Sequence, residues 1–428
     1  MIANLDIDHF IKTVVTKREI SLLKDDFNKY HVELENRINH KNVLVIGGAG
    51  TIGSSYIKAI LKFRIAKLVV VDINENGLTE LVRDLRSSEG YHIPAEFITY
   101  PVNFGDAVFE KLFRHHGPFQ IVANFAAHKH VRSEKDIYSI EAMIENNVLR
   151  ARKLLDLLLQ FPPEHFFCVS TDKAANPVNI MGASKKLMEE LIMAYSDKLP
   201  IKTARFANVA FSNGSLPLGF LERMQKKQPW SCPRGIRRFF VSPQESGELC
   251  LMASIMGQSG DIFFPKLDEE KDMIPFDQMA IDLLHSMGLE ADICATEEEA
   301  IQKAKQLSDA LHPLSTSPLS PSPFSPSLTN QTISTYPVYF FGSDTSGEKS
   351  FEEFYTEKEI LDMDSFINLG VVKNSKKRSI SEIDEIFGQM RALFASDKVT
   401  KAAIVEILKQ YLPNFEHIET GKSLDQKM

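Results

Sequence analysis

The chain has 428 residues, 43% hydrophobic and 25% charged, with a formal net charge of −8. This is the composition of a soluble globular protein long enough for two or three folding units, and its negative balance speaks against a nucleic-acid surface, which needs a basic face. No apolar run reaches membrane-spanning length and no signal-peptide core opens the chain, so a cytoplasmic protein without a membrane anchor is expected.

Residues 1–40 carry apolar and charged residues at helical spacing, as in LLKDDFNKYHVELENRI, and predict a helical leader. Short apolar runs then alternate with amphipathic stretches. NVLVIGG, KLVVVD, EFITYPV, QIVANFAA and HFFCVST each read as a strand followed by a helix. The alternation predicts an α/β fold, a Rossmann-like doubly wound parallel sheet with helices on both faces. We expect this domain over 41–215, with 236–260 returning to it, and a smaller substrate-binding region over 216–375. Within that region HPLSTSPLSPSPFSPSLTNQTIST holds four Ser-Pro pairs, which deny it regular hydrogen bonding, so 312–335 reads as a flexible exposed insertion. The tail, 376–428, predicts two amphipathic helices, entered through the basic run KNSKKR, read as a solvated loop. Leader and tail carry no visible site chemistry. Their simplest use is packing against another subunit, so a homo-oligomer is expected.

The four cysteines, Cys168, Cys232, Cys250 and Cys294, show no paired spacing and suggest reduced thiols rather than a disulfide frame or a zinc site. His128 and His130 form a His-x-His pair without a third ligand of suitable spacing, so no metal is expected.

VLVIGGAGTIGSSYIKAIL sets Gly47, Gly50 and Gly53 between an apolar strand and a helix, with Thr51 and Ile52 beside them. Glycines there permit a tight turn and let backbone N–H groups approach a pyrophosphate at the helix N-terminus. A tight turn without ligand has the same glycines, but here an acid, Asp72, ends the next strand about twenty residues on. Asp72 would accept hydrogen bonds from ribose hydroxyls and repel a 2′-phosphate, which favours NAD over NADP. Asn103, in YPVNFGD, either approaches the adenine or caps a turn.

STDKAANPVNIMGASKK runs from a strand into a helix, so Thr171, Asp172 and Lys173 emerge at a strand's carboxyl end, where ligands of open α/β sheets sit. Met181 and Lys185, four residues apart, share a helix face. In isolation Asp172–Lys173 reads better as an exposed strand-end charge pair, and only the surrounding motifs demote that reading. The glycine pattern and the x-x-x-Lys helix resemble the extended short-chain dehydrogenase/reductase family, most of whose members carry Tyr-x-x-x-Lys. Here Met181 stands in the tyrosine's place. With FAAHKHVRSEKD, ENNV, RFANVAFSNGS and RRFF, the Thr-Asp-Lys triplet is similar to the UDP-N-acetylglucosamine 4,6-dehydratases, CapD-like proteins of polysaccharide biosynthesis.

That resemblance implies an NAD-dependent lyase that oxidises C4 of the sugar, eliminates water across C5 and C6, and returns hydride to C6. It implies Asp172 as acid at C6, Lys173 as base at C5, Thr171 on the C4 hydroxyl and Lys185 on the nicotinamide ribose. A base must be neutral when it acts, so desolvation or a nearby positive charge would have to favour the amine of Lys173. A thioether accepts no hydroxyl proton. Met181 therefore leaves the phenol's role vacant or moved to Thr171, Asp172 or water, and it resembles the C5-retaining branch, often membrane-anchored. Ala126 and Ala127 would leave room for the cofactor, and Lys129 and His130 would face the sugar nucleotide. Asn208 and Arg238 match diphosphate-binding positions, although a surface salt bridge is the plain alternative for Arg238. Asn147 is expected to brace backbone. Relatives often carry Arg-Pro-Gly-Glu-Lys where this chain has DTSGEK, with Thr345 at the arginine's place, so a UDP- or GDP-linked sugar fits. The rival readings are an epimerase or C5-inverting dehydratase on the same scaffold, and a non-catalytic sugar-nucleotide-binding protein.

Overall fold

The structure, a computed structural model, describes residues 5–311, 335–342, 353–373, 375 and 377–418. Apart from Thr335 the Ser/Pro insertion lies outside the described residues, as do Thr345 and the last ten positions.

Fifteen strands are described. The first six are β1 (Asn42–Ile46), β2 (Lys67–Asp72), β3 (Glu96–Pro101), β4 (Ile121–Asn124), β5 (His165–Val169) and β6 (Ile201–Ala204). After them come β7 (Asn208–Val209), β8 (Trp230–Pro233), β9 (Arg237–Val241), β10 (Asp261–Pro265) and β11 (Met273–Pro275). The last are β12 (Glu290–Cys294), β13 (Thr335–Phe341), β14 (Ile360–Asp362) and β15 (Leu369–Lys373). Nine of them build one sheet in the order β14-β15-β10-β6-β5-β4-β1-β2-β3. From β3 to β10 the pairs are parallel, and β15 and β14 extend the edge antiparallel. This is the doubly wound α/β fold. Strands such as β4 and β5 are buried along their whole length, which is why they read as largely apolar runs rather than alternating ones. The chain direction reverses between β1 and β4, and that switch point opens the crevice where ligands of such sheets bind.

Around this sheet lies the larger hydrophobic core. A second core, with Phe220, Trp230, Met279, Leu283 and Val338, belongs to the smaller region, whose two three-stranded sheets run β11-β9-β7 and β12-β13-β8. The boundary between the regions differs from the expected one. The return to the large sheet is made by the helix Pro243–Met256 and β10, while β9, at 237–241, stays in a small sheet. Residues 360–373, expected in the substrate-binding region, supply the two antiparallel edge strands. Apolar β10 is buried at all five positions, as expected of a strand covered on both faces of the large sheet.

The leader is two helical pieces. Ile7–Phe10 continues as a π-helical turn, Ile11–Val15, and buries Phe10, Ile11 and Val15 in the second core. The helix Lys24–Ile38 buries Leu34 and Ile38 in the first. The tail forms Ile380–Phe394, started by a Ser379–Glu382 capping box, and Lys401–Tyr411. The tail's first helix packs against the helix Ile180–Ala194, and the apolar faces of leader and tail are covered within the chain. The basic run is no free loop either: Lys373 pairs with Asp261, Lys377 with Asp197, and Arg378 with Glu190 and the carbonyl of Tyr411. Among the described residues no helix is long and apolar enough to cross a membrane.

Candidate active site

Gly47 follows β1 with φ +75°, and a Cβ there would lie 2.5 Å from the backbone nitrogen of Ala126. A Cβ on Gly53 would lie 2.2 Å from the carbonyl oxygen of Gly47. Only glycine permits this packing of the turn on the first helical turn and on the strand beside it. Asp72 pins the turn from the end of β2: its Oδ2 accepts the N–H of Ala49 at 2.9 Å and its Oδ1 that of Asn74 at 2.9 Å. A cavity of about 420 Å³ opens here, bordered by Gly47, Gly50, Asp72, Asn103, Ala126 and Ala127. Asn103 both borders it and caps its own turn, accepting the N–H of Gly105 at 2.9 Å. Glycine turn, helix N-terminus and a carboxylate with lone pairs to spare together fit a dinucleotide. Thr51 is engaged elsewhere, its hydroxyl accepting the N–H of Asn213 at 3.0 Å, and Ile52 faces the neighbouring cavity.

That second cavity, of about 300 Å³, shares Phe125 and Ala127 with the first. Thr171, Asp172, Lys173, Met181 and Lys185 line it, together with Lys129, His130 and Asn208. Asp172, 4% exposed, gathers three donors on one oxygen. Its Oδ1 accepts from Thr171 Oγ1 at 2.7 Å, from the N–H of Lys173 at 2.9 Å and from Lys173 Nζ at 3.1 Å. The charge described in contact with Lys173 is thus the carboxylate of Asp172, opposite in sign to the one that would favour the amine. Lys185 Nζ donates to the carbonyl of Val169 at 3.0 Å. Burial lowers its pKa, with Cys168 and Glu189 acting the other way. Burial likewise lowers the pKa of Lys129 at the cavity mouth.

Asn147 braces the loop after β4, bonding both backbone groups of His128 and the hydroxyl of Ser184. His128 turns to the dinucleotide cavity and His130 to the other, so the two do not converge. Among the described residues no group of three or more His, Cys, Asp or Glu is placed to hold a metal ion. Like Thr51 and Gly53, which line neither cavity, Arg238 is not brought to the cavity wall. It is buried rather than at the surface, and its Nη1 donates to the carbonyl of Arg237 at 2.9 Å.

Three features escaped the sequence reading. Arg205, fully buried, bonds Glu189 through Nε and Nη2 at 2.9 and 2.8 Å, and Glu189 accepts from Ser170 Oγ at 2.5 Å. Burial would raise the pKa of Glu189, but Arg205 and Lys186 outweigh it and hold the group at about 2. Glu134 accepts the N–H of Met181 at 3.0 Å, and His417 of the tail lies against it. A Cβ on Gly182 would lie 2.7 Å from the carbonyl oxygen of Lys173. The glycine was visible in the motif; its contact was not.

The fold aligns with the crystal structure of Pen from Bacillus thuringiensis at a TM-score of 0.59, over 83% of this chain and 98% of that one, at 18% identity, a likeness of fold. Over 282 residues the chain is 27% identical to the capsular polysaccharide biosynthesis protein CapD of Staphylococcus aureus, covering 65% of this chain but only 46% of CapD. It is 25% identical over 255 residues to the UDP-N-acetylglucosamine 4,6-dehydratase (inverting) of Campylobacter jejuni, 54% of this chain and 69% of that protein. Residues 43–306 match the family model described as polysaccharide biosynthesis protein, and the chain belongs to that family.

Proposed function

We propose that the chain is a nucleotide-sugar 4,6-dehydratase with NAD as its cofactor, acting on UDP-N-acetylglucosamine. The observation that carries this reading is the single hydrogen-bonded set of Thr171, Asp172 and Lys173 on the wall of a cavity that adjoins the dinucleotide groove. The dehydratase of Campylobacter jejuni supports the substrate class by its name. NAD held at the cavity bordered by Gly47, Gly50 and Asp72 would supply a hydride acceptor for C4 of the sugar and, once reduced, a hydride donor for C6.

The residues supply the proton chemistry. Lys173 and Asp172 share a contact of 3.1 Å. Moving one proton across it turns ammonium and carboxylate into amine and carboxylic acid, the two forms that elimination requires. The amine of Lys173 removes the C5 proton, made acidic by the C4 ketone, while Asp172 protonates the departing C6 hydroxyl. Thr171 orients the C4 hydroxyl and Lys185 the nicotinamide ribose. Lys129 and His130 face the sugar nucleotide and Asn208 holds the diphosphate, a role the resemblance also gives to Arg238, which is set back from the cavity wall. Met181 disfavours a phenol-dependent epimerase, because a thioether has no proton to exchange.

The test is incubation with UDP-N-acetylglucosamine in D₂O followed by NMR, with the GDP-linked sugar in parallel. The expected result is a C6 methyl, a hydrated C4 ketone and deuterium at C5, the coupling pattern giving the C5 configuration. Lys173→Met should suppress this product while leaving NAD affinity unchanged. Return of the nucleotide sugar unchanged and undeuterated would sink the reading in favour of a binding protein. The homo-oligomer stands as a further proposal, which light scattering at the mass of one chain would remove.

A further inference from the structure

The segment after Thr171–Lys173 is held by chain that is remote in sequence. Beyond the second tail helix Phe415 is buried in the main core. The N–H of Glu416 then donates to the carbonyl of Pro177 at 3.3 Å, and that of Ile418 to the carbonyl of Val178 at 3.0 Å. Between these bonds His417 turns inward, its side chain 8% exposed, with Nε2 3.5 Å from Oε2 of Glu134. That nitrogen makes no hydrogen bond and faces the carboxylate. The other oxygen of Glu134 accepts the N–H of Met181 at 3.0 Å.

Met181 N–H belongs to the first turn of the helix Ile180–Ala194, whose donors lack intrahelical partners. Asn179 takes another of them, the N–H of Gly182, at 2.7 Å. The same turn lies close against the catalytic loop: a Cβ on Gly182 would come within 2.7 Å of the carbonyl oxygen of Lys173. A shift of residues 177–182 toward that loop therefore has little room before it meets the backbone of Lys173.

We infer that Glu134 and the C-terminal segment 415–418, through His417, are positioning elements of the active site. They hold the first helical turn, and through Gly182 the backbone of Lys173, in the geometry that elimination requires. Neither Glu134 nor His417 lines the cavity, so both act through the loop rather than on substrate. The two face each other: without His417 the Oε2 of Glu134 loses the imidazole nitrogen that stands 3.5 Å away.

The activity arm of the test rests on the proposed dehydratase reading; the second arm does not. Glu134→Gln keeps an acceptor for Met181 N–H but removes the charge facing His417, and His417→Leu removes the imidazole at similar volume. In the full-length chain each should lower kcat about tenfold or more with KM nearly unchanged, the mark of misplaced reacting groups. Amide exchange over 172–183 should quicken in both variants, while peptides from β1 to β3 keep the wild-type rate. Wild-type kcat together with wild-type exchange over 172–183 would overturn the inference. So would faster exchange across the whole chain with kcat falling and KM rising together, the sign of general loosening. If the wild-type protein turns over no nucleotide sugar, the dehydratase reading fails and exchange alone decides: local quickening upholds the positioning role and its absence removes it.

Discussion

His165 and Lys202 meet at the amino ends of β5 and β6, Lys202 Nζ lying 3.1 Å from His165 Nδ1. Burial, and then the charge of Lys202, lowers the pKa of His165 to about 3 from an ordinary 6.5. The sign follows from proton counting. Below pH 6.5 the unfolded chain binds a proton that the folded chain refuses until about pH 3, so stability falls as pH drops through that window. The slope from this group is at most about 1.4 kcal/mol per pH unit. His165→Gln should flatten the acid side of the stability curve measured by urea unfolding, and equal slopes in the two proteins would acquit the histidine. The Asp172–Lys173 pair is the opposite case. There the charges meet at the carboxyl end of β5, on the cavity wall.

Scale up one level and the helix Ile180–Ala194 governs the site. Of its first six residues, Met181 and Lys185 line the cavity and Gly182 receives the loop. Gly182→Ala separates the helix's own preference from its packing. Alanine favours a helix interior by about 1 kcal/mol over glycine, so propensity alone predicts a more stable protein. The new Cβ would however lie 2.7 Å from the carbonyl of Lys173, so that oxygen must move. We expect turnover to fall at least about tenfold while the unfolding midpoint changes little. Full activity in a stabilised variant would show that the loop has room.

Across the whole molecule, the leader ties the two cores together. Arg18, between its helical pieces, bonds Glu245 at 2.8 and 2.9 Å, Asp272 at 3.0 Å and the carbonyl of Phe240 at 3.1 Å. Glu245 opens the helix of the first core, and Phe240 lines the substrate cavity from the smaller region. Arg18→Met strands a nearly buried carboxylate and should lower stability by about 3 kcal/mol in urea. A loss below about 1 kcal/mol would place the pair with exposed ones. Under the proposed dehydratase reading both regions must stay in register around one cavity, so Arg18→Met should lower turnover as well.

What was legible in the sequence is what neighbours in the chain decide. Strand and helix periodicity, the glycine turn with Asp72 after the next strand, and the strand-end Thr171–Asp172–Lys173 are short patterns whose geometry follows from local sterics and hydrogen bonding. They were sufficient for the doubly wound sheet and for a glycine turn and Asp72 that border one cavity. The tertiary structure alone decided contacts between remote segments: β14 and β15 joining the large sheet, Arg238 set back from the cavity, and Arg205 buried on Glu189. It also decided that His417 stands behind Met181 by way of Glu134. None of these has a local signature, because each depends on which buried surface or unpaired polar group still needed a partner once the sheet had formed.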